Sequence, residues 1–516
     1  MTRSRIAFLI VSLLATIALG ACSDDSNDDV LPGPIDLPAL HAEPDPVLGG
    51  RIVDARGREV LLRGVNVNAL AEYWQGTVLA TTFPFGEEDA ARMAEIGWSA
   101  VRLLLSWSRV EPEPGVYDEA YLTTVDDAIR TLARHGLYAI VDLHQDAWGA
   151  TLAAQPGEFC APGLTPALGW DGAPAWATLD EGMPRCTTAG IRETSPAVTT
   201  SFSAFFADAP AADGVGIRTR YVAMLAYLAG RYARVDSVAG YDLMNEPNAF
   251  TGPQLAGLAA LYGEAVAAIR DAERAAGGFP HLVLFEPSAL WSAIGRGAPP
   301  EFPYDEDVVY APHVYTGGFT GGPIDRGAFE IAVDEARLFG GAPVLTGEWG
   351  ADPRRAEESG DSYFLDHQAF QDEFRFGATL WTWKEACGDP HKVGDLRAGR
   401  VPYPWGEFEV DCTTNEITGE RSPVLAQLTR GYVRAAPGRL VETRYDDATG
   451  DLRASGSGAE AGTELLAFYP AAKHGTPALE SAGLEAIVLE DGPGGSVYVR
   501  ARATGGDWSF QIRAGS

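Results

Sequence analysis

Two glutamates occupy positions from which a carboxyl group could act on a substrate. Glu246 closes the stretch Tyr241-Asp242-Leu243-Met244-Asn245-Glu246-Pro247, and Glu348 closes Val344-Leu345-Thr346-Gly347-Glu348-Trp349. Each lies just past an apolar run that reads as a strand buried on both faces, so each carboxylate would face the mouth of a closed sheet rather than open solvent. Breaking a glycosidic bond with retention needs two carboxyl groups about 5 Å apart, one to protonate the leaving oxygen and one to attack the anomeric carbon. Taken singly, a glutamate after a strand is more often a loop residue or a helix cap. The neighbouring motifs argue otherwise. Arg102 sits inside Ala100-Val101-Arg102-Leu103, where a buried guanidinium demands a carboxylate partner. His144 follows Val141-Asp142-Leu143, His313 and Tyr315 end another run, and Trp381 and Trp383 end the last. Glu286, in Leu284-Phe285-Glu286-Pro287, imitates the Glu246 context, but Phe285 stands where Asn245 would be, so a structural or outer role is expected. Asp142 and Asp242, within strands, read as partners of the site. Asp352 and Asp389 read as solvated loop charges, and His391 as a loop residue.

The elements that must hold these groups alternate. Strand candidates are Leu61–Val67, Ala100–Leu105, Tyr138–Leu143, Val238–Met244, His281–Phe285, Val308–His313, Pro343–Gly347 and Gly377–Trp383. Between them, Tyr121–His135 places Leu122, Val125, Ile129 and Leu132 on one stripe, and Ile217–Arg234 and Leu255–Ala275 have similar spacing. Eight strand–helix units predict an α/β fold, a (β/α)8 TIM barrel. An open doubly wound sheet competes, but no Gly-rich phosphate loop supports it. The irregular stretch 149–215 would wall the substrate side. After a last helix near Pro423–Ala436, short alternating runs such as Glu464–Tyr469 and Trp508–Ile512 predict a small C-terminal β-sandwich. The expected division is 1–22 signal, 23–46 flexible tether, 47–438 barrel and 439–516 sandwich.

The formal net charge of −32 argues against nucleic acid and against adsorption of the protein surface to anionic membranes. Arg3 and Arg5 precede the apolar run Ile6–Leu19, which meets Gly20-Ala21-Cys22. That pattern describes a secretory signal, and its ending resembles the lipobox of bacterial lipoproteins, with Cys22 as the acylated residue. An exported lipoprotein, anchored at the cell envelope or surface, is expected. The remaining Cys160, Cys186, Cys387 and Cys412 suggest two disulfides after export. Three pairings are possible, of which the local one closes two long loops. The cysteine spacings match no zinc site.

The order Val-Arg-Leu, Leu-His, Asn-Glu-Pro, His-Val-Tyr, Gly-Glu-Trp and Trp-x-Trp resembles glycoside hydrolase family 5. The resemblance implies Glu246 as acid/base, Glu348 as nucleophile, Arg102 holding Glu348 ionised, and Asn245 on the sugar 2-hydroxyl. It implies that His313 and Tyr315 orient the carboxylates, Trp381 forms the sugar platform, with Trp383 beside it, and His144 lines the glycone subsite. Within the family, Val60-Leu61-Leu62-Arg63-Gly64-Val65-Asn66, Asp142-Leu143-His144-Gln145-Asp146-Ala147-Trp148 and Asp171-Gly172-Ala173-Pro174-Ala175-Trp176-Ala177-Thr178 are most similar to endoglycoceramidases. There Asp146 and Trp148 would contact the first sugar. The expected substrate is a glycolipid cleaved between glycan and ceramide, or an oligosaccharide, by a monomer needing no metal or organic cofactor. A β-glucan or mannan endoglycanase, a β-glucosidase of simple lipid glucosides, and a surface glycan-binding protein without turnover are the alternatives.

Overall fold

The computed structural model describes residues 35–73, 79–188, 190–358 and 360–514. The expected signal peptide, the expected lipidation at Cys22 and most of the expected tether lie outside the described residues. Eight parallel strands form one sheet: β1 (Arg63–Val67), β2 (Ala100–Ser106), β3 (Tyr138–His144), β4 (Val238–Asp242), β5 (Leu282–Phe285), β6 (Val308–Tyr310), β7 (Leu345–Trp349) and β8 (Gly377–Leu380). Their order is β6-β5-β4-β3-β2-β1-β8-β7. Parallel bridges Tyr310–Val344 and Val314–Trp349 join the two ends and close the barrel. All eight strand candidates from the sequence are present.

Every residue of these strands is buried, which is why they read as unbroken apolar runs. The register places Arg102 of β2 beside Asn66 of β1, and Asp142 of β3 beside Asp242 of β4, so polar groups enter the interior in layers. Gly64 lets β1 approach β2, because a Cβ there would lie 1.6 Å from the Ala100 carbonyl oxygen. Outside the strands, helix Glu119–Arg134 is capped by Asp118, whose side chain accepts from Ala120 and Tyr121, and it buries Leu122, Val125, Ile129 and Leu132.

The insertion after β3 is more ordered than its composition suggested. It carries a strand pair, Leu164–Pro166 with Cys186–Thr188, and a helix, Pro196–Phe206, that buries Phe202, Phe205 and Phe206. The bridges are Cys160–Cys186 and Cys387–Cys412, the local pairing. Among the described residues, no helix is long and apolar enough to cross a membrane.

The C-terminal sandwich pairs a seven-stranded sheet with a four-stranded one, and here the expected boundaries need correction. Strands Leu40–Glu43, Arg51–Asp54 and Arg58–Val60 belong to the seven-stranded sheet, through antiparallel pairing of Arg58–Val60 with Tyr432–Pro437. The segment assigned to the end of the tether buries Ile35, Leu37, Leu40 and Ala42. From its first described residues the chain therefore passes through the sandwich, enters the barrel and returns. These strands are only three or four residues long, too short to show a local period, and their tie to the sandwich runs through a partner hundreds of residues away. The last helix is also shorter than expected, Ser422–Leu428, because the chain has already turned into strand at Tyr432. Phe468 and Tyr432 of the sandwich share one apolar core with Ala100, Tyr138, Leu282 and Leu345, which start barrel strands. The sandwich thus plugs the N-terminal end of the barrel and leaves the C-terminal mouth as the working face.

Candidate active site

Arg102, fully buried, is the hub of that mouth. Its Nε donates to Asp242 at 2.9 Å, Nη1 to Asn66 at 3.1 Å and to Glu348 at 2.9 Å, and Nη2 to Asn245 and Glu286, both at 3.0 Å. Asp142 lies 2.9 Å from the same Nη2. One guanidinium therefore fixes groups from five strands or their ends, which a point charge such as lysine could not do. Burial opposes the charge on Arg102, but the carboxylates of Asp142, Asp242, Glu286 and Glu348 outweigh it and hold the group protonated. Burial, with the nearby Glu286 charge, pushes the Asp242 carboxyl well above the ordinary range.

Glu348 accepts from Arg102 through one oxygen and from the Tyr315 hydroxyl, at 2.9 Å, through the other. Burial raises its carboxyl above the usual value, with His313, Arg102 and His144 opposing that rise. The desolvation that comes with a place inside the barrel is the larger effect. Gly347 makes room for the site, since a Cβ there would stand 2.9 Å from His313 Nε2.

Glu246 is held by its backbone. Its N–H donates to Glu286 Oε2 at 2.8 Å and its carbonyl accepts from Gln145 Nε2 at 3.0 Å. These bonds stabilise a φ of 38°, in the left-handed region that a glutamate seldom adopts. His313 Nδ1 lies 3.0 Å from Glu246 Oε1 and 3.5 Å from Glu348 Oε2. One oxygen from each glutamate and a ring nitrogen of His313 all lie within 4.8 Å of one another. Burial works against a charged His313, but the charges of Glu286 and Glu348 and the bond to Glu246 raise its pKa well above the ordinary value. A pair of carboxyl groups at this spacing, one on a cationic clamp and one on an imidazole, can serve as nucleophile and acid/base.

A cavity of about 820 Å³ opens over the pair. His144, Asp146, Asn245, Tyr315 and Trp381 line it together with both glutamates. Trp381 stacks on His144 at 5.5 Å between ring centres, and His144 Nδ1 is 2.7 Å from Asp142. Two expected site residues are elsewhere. Trp383 packs edge-on against Trp98 and Phe408 and donates to Asp89, because β8 ends at Leu380 and strand alternation does not reach as far as Trp383. Trp148 lies in an aromatic core with Trp107, Phe202 and Phe205, buried under the insertion helix. Asp389 is fully buried rather than solvated, accepting from the backbone and lying 2.7 Å from the ring Nδ1 of His391. His391 itself lines the cavity, as do Trp170, Arg192, Glu385, Lys392, Trp405 and Phe319, which sequence reasoning passed over. Their loops carry no period, and only the density of aromatic and charged residues could have flagged them.

The lining has two sides. Asp146, Arg192 and Glu193 come after β3 in the chain, and Glu385, His391 and Lys392 after β8, making a polar arc across β8-β1-β2-β3 that also carries Leu168, Trp170, Ile191 and Trp405. Phe250, Ala289, Leu290, Ala293 and Phe319 come after β4, β5 and β6 and make an apolar arc. Glu246 and Glu348, at the ends of β4 and β7, stand at the two boundaries between the arcs.

Among the described residues, three groups bring ligand atoms close enough for a cation: His144, Asp146 and Asp171; Glu246, His313 and Glu348; and Glu385, Asp389 and His391. In each, a carboxylate is already paired with a fixed cation, Arg192, Arg102 or Lys392 respectively, which disfavours a metal there.

Residues 53–386 match the family model described as Cellulase (glycosyl hydrolase family 5). The chain belongs to glycosyl hydrolase family 5. It is a glycoside hydrolase. Within that family it is 29% identical over 291 residues to endoglycoceramidase I of Rhodococcus hoagii, covering 52% of each chain. It is 30% identical over 162 residues to a glucosylceramidase of Cryptococcus neoformans var. grubii, covering 29% of this chain and 20% of the other. The chain thus spans about half or less of the length of these curated relatives. A solved endogalactoceramidase structure superposes with a TM-score of 0.81 at 37% identity, covering 93% of this chain and all of that one.

Proposed function

We propose that this family-5 hydrolase releases the glycan of glycosphingolipids by cleaving the bond between the sugar and ceramide, with retention. The observation that carries the reading is the two-sided cavity: a polar arc suited to sugar hydroxyls and an apolar arc suited to lipid chains meet at the two glutamates. The likeness to the endogalactoceramidase and the endoglycoceramidase supports it. In the proposed reaction Glu348 attacks C1 of the first sugar while Glu246 gives its proton to the departing ceramide oxygen, breaking the C1–O bond. Water then attacks C1, Glu246 takes its proton, and Glu348 leaves. Arg102 and Tyr315 hold the attacking carboxylate, His313 positions Glu246, Trp381 carries the sugar ring, Asn245 meets the 2-hydroxyl, and His144 and Asp146 line the glycone side. No cofactor is needed for this chemistry. A lipid anchor at Cys22 and action as a monomer at the cell envelope are part of the same proposal.

The test is incubation with lactosylceramide or a ganglioside in mild detergent, and in parallel with carboxymethylcellulose and mannan, with products identified by mass. Free intact oligosaccharide plus ceramide is the expected result. Cleavage of the polysaccharides alone would replace this reading with the endoglycanase one and leave the catalytic pair unchanged.

A further inference from the structure

We propose that Arg192 is a specificity-determining residue that reads the second sugar of the headgroup, counted outward from the ceramide. The inference rests on the glycolipid reading above and extends it to the length of the glycan. Arg192 belongs to the short turn Arg192–Thr194 in the insertion after β3. Its guanidinium lies over the Trp170 ring at 3.9 Å, Nη2 donates to Asp146 at 2.6 Å and Nε to Glu193 at 2.5 Å. Across the polar end of the cavity, Nη1 stands 3.5 Å from Nε2 of His391, which lies beyond β8. Two loops from opposite flanks of the polar arc thus meet at this contact. Each is tied by a bridge shortly before the residue concerned, Cys160–Cys186 on the Arg192 side and Cys387–Cys412 on the His391 side.

A series of contacts leads from the first sugar to Arg192. A sugar reacting at the glutamate pair would rest on Trp381. From there rings step outward, with His391 at 5.7 Å from Trp381 and Trp170 at 4.5 Å from His391, and the guanidinium closes the series. Asp146, which holds it, lies beyond His144, whose Nε2 is 3.6 Å away. Neither Phe250 nor Leu290, on the apolar side where the ceramide would lie, belongs to this series, so it marks the glycone side, where a second sugar ring follows the first.

The chemistry suits hydroxyl recognition. A guanidinium has five N–H groups in a rigid fork, and the contacts described use three at most, leaving donors for adjacent hydroxyls. Stacking on Trp170 and the bonds to Asp146 and Glu193 fix the fork in advance, so little ordering is left for binding to cost. A hydrogen-bonding site built in this way discriminates strongly against a ligand that lacks the hydroxyls.

The experiment compares aryl β-lactoside with aryl β-glucoside carrying the same leaving group, on the full chain as wild type, Arg192→Ala and Arg192→Lys, with lactosylceramide in detergent alongside. The two aryl glycosides share their first sugar and contain no ceramide. For Arg192→Ala, kcat/KM is expected to fall, through KM, at least about tenfold more on the lactoside than on the glucoside. Arg192→Lys should fall between, since it keeps the charge and loses the fork. The ratio between the two substrates does not depend on how much of a variant is folded. Equal loss on both glycosides, or no loss on either, overturns the assignment. Wild type that cleaves the aryl lactoside but not lactosylceramide would remove the ceramide reading, while the same ratio would still decide the role of Arg192.

Discussion

Glu286 Oε2 accepts the backbone N–H of Glu246 at 2.8 Å, while Glu286 Oε1 lies 3.0 Å from Arg102 Nη2 and 3.1 Å from His313 Nε2. The carboxylate whose sequence context imitates the acid/base is therefore the one that fixes its backbone and orients its imidazole. Glu286→Ala leaves a buried guanidinium, an imidazole and a backbone N–H short of a partner. Unfolding free energy should drop by about 3–5 kcal/mol, and turnover by roughly 100-fold through misplacement of Glu246. Because the residue acts through the position of Glu246, azide should not restore activity, and natural glycosides should suffer more than activated ones. Rescue by azide would assign Glu286 to the chemistry instead.

The pair itself predicts two distinct failures. Glu348→Gly should abolish hydrolysis yet use an α-glycosyl fluoride for synthesis, because the acid/base survives. Glu246→Ala should lose about 10²–10⁴-fold on natural glycosides and far less on glycosyl fluorides, whose leaving group needs no proton. Product analysis with both donors checks the assignment. Equal loss on both donors would contradict Glu246 as the acid.

Glu407 is buried beside the barrel, and burial, opposed by Arg421, pushes its carboxyl up to about 8. Its folded pKa is above its unfolded one, so its contribution to stability is complete below about pH 4.5 and is lost as pH rises toward 8. The slope is about 1.4 kcal/mol per pH unit across that window. Glu407→Gln should therefore raise Tm relative to wild type more at pH 8 than at pH 5. Thermal unfolding at the two pH values measures this, and an identical difference at both would refute it.

Cys22→Ser should move the protein from the membrane fraction to the soluble one without changing kcat on an aryl glycoside, as read by fractionation and assay of the same preparations. Unchanged membrane association would argue against acylation at Cys22.

The amino-acid sequence alone determined the eight barrel strands and the location of Glu246, Glu348, Arg102, His144, His313 and Tyr315, because a strand buried on both faces leaves an apolar run and an interruption in it marks a group aimed at the mouth. Local pattern also gave the sandwich strands Glu464–Tyr469, an apolar run, and Trp508–Ile512, where alternation is intact. It could not show that Leu40–Val60 belongs to that sandwich, or that Trp148 and Trp383 turn into the core while Trp170, Arg192 and His391 line the cavity. Those outcomes depend on what a residue meets after the chain has closed on itself. The Glu348 carboxyl is the clearest case, since its cationic partners were legible in the motifs but the burial that outweighs them exists only once the barrel is shut.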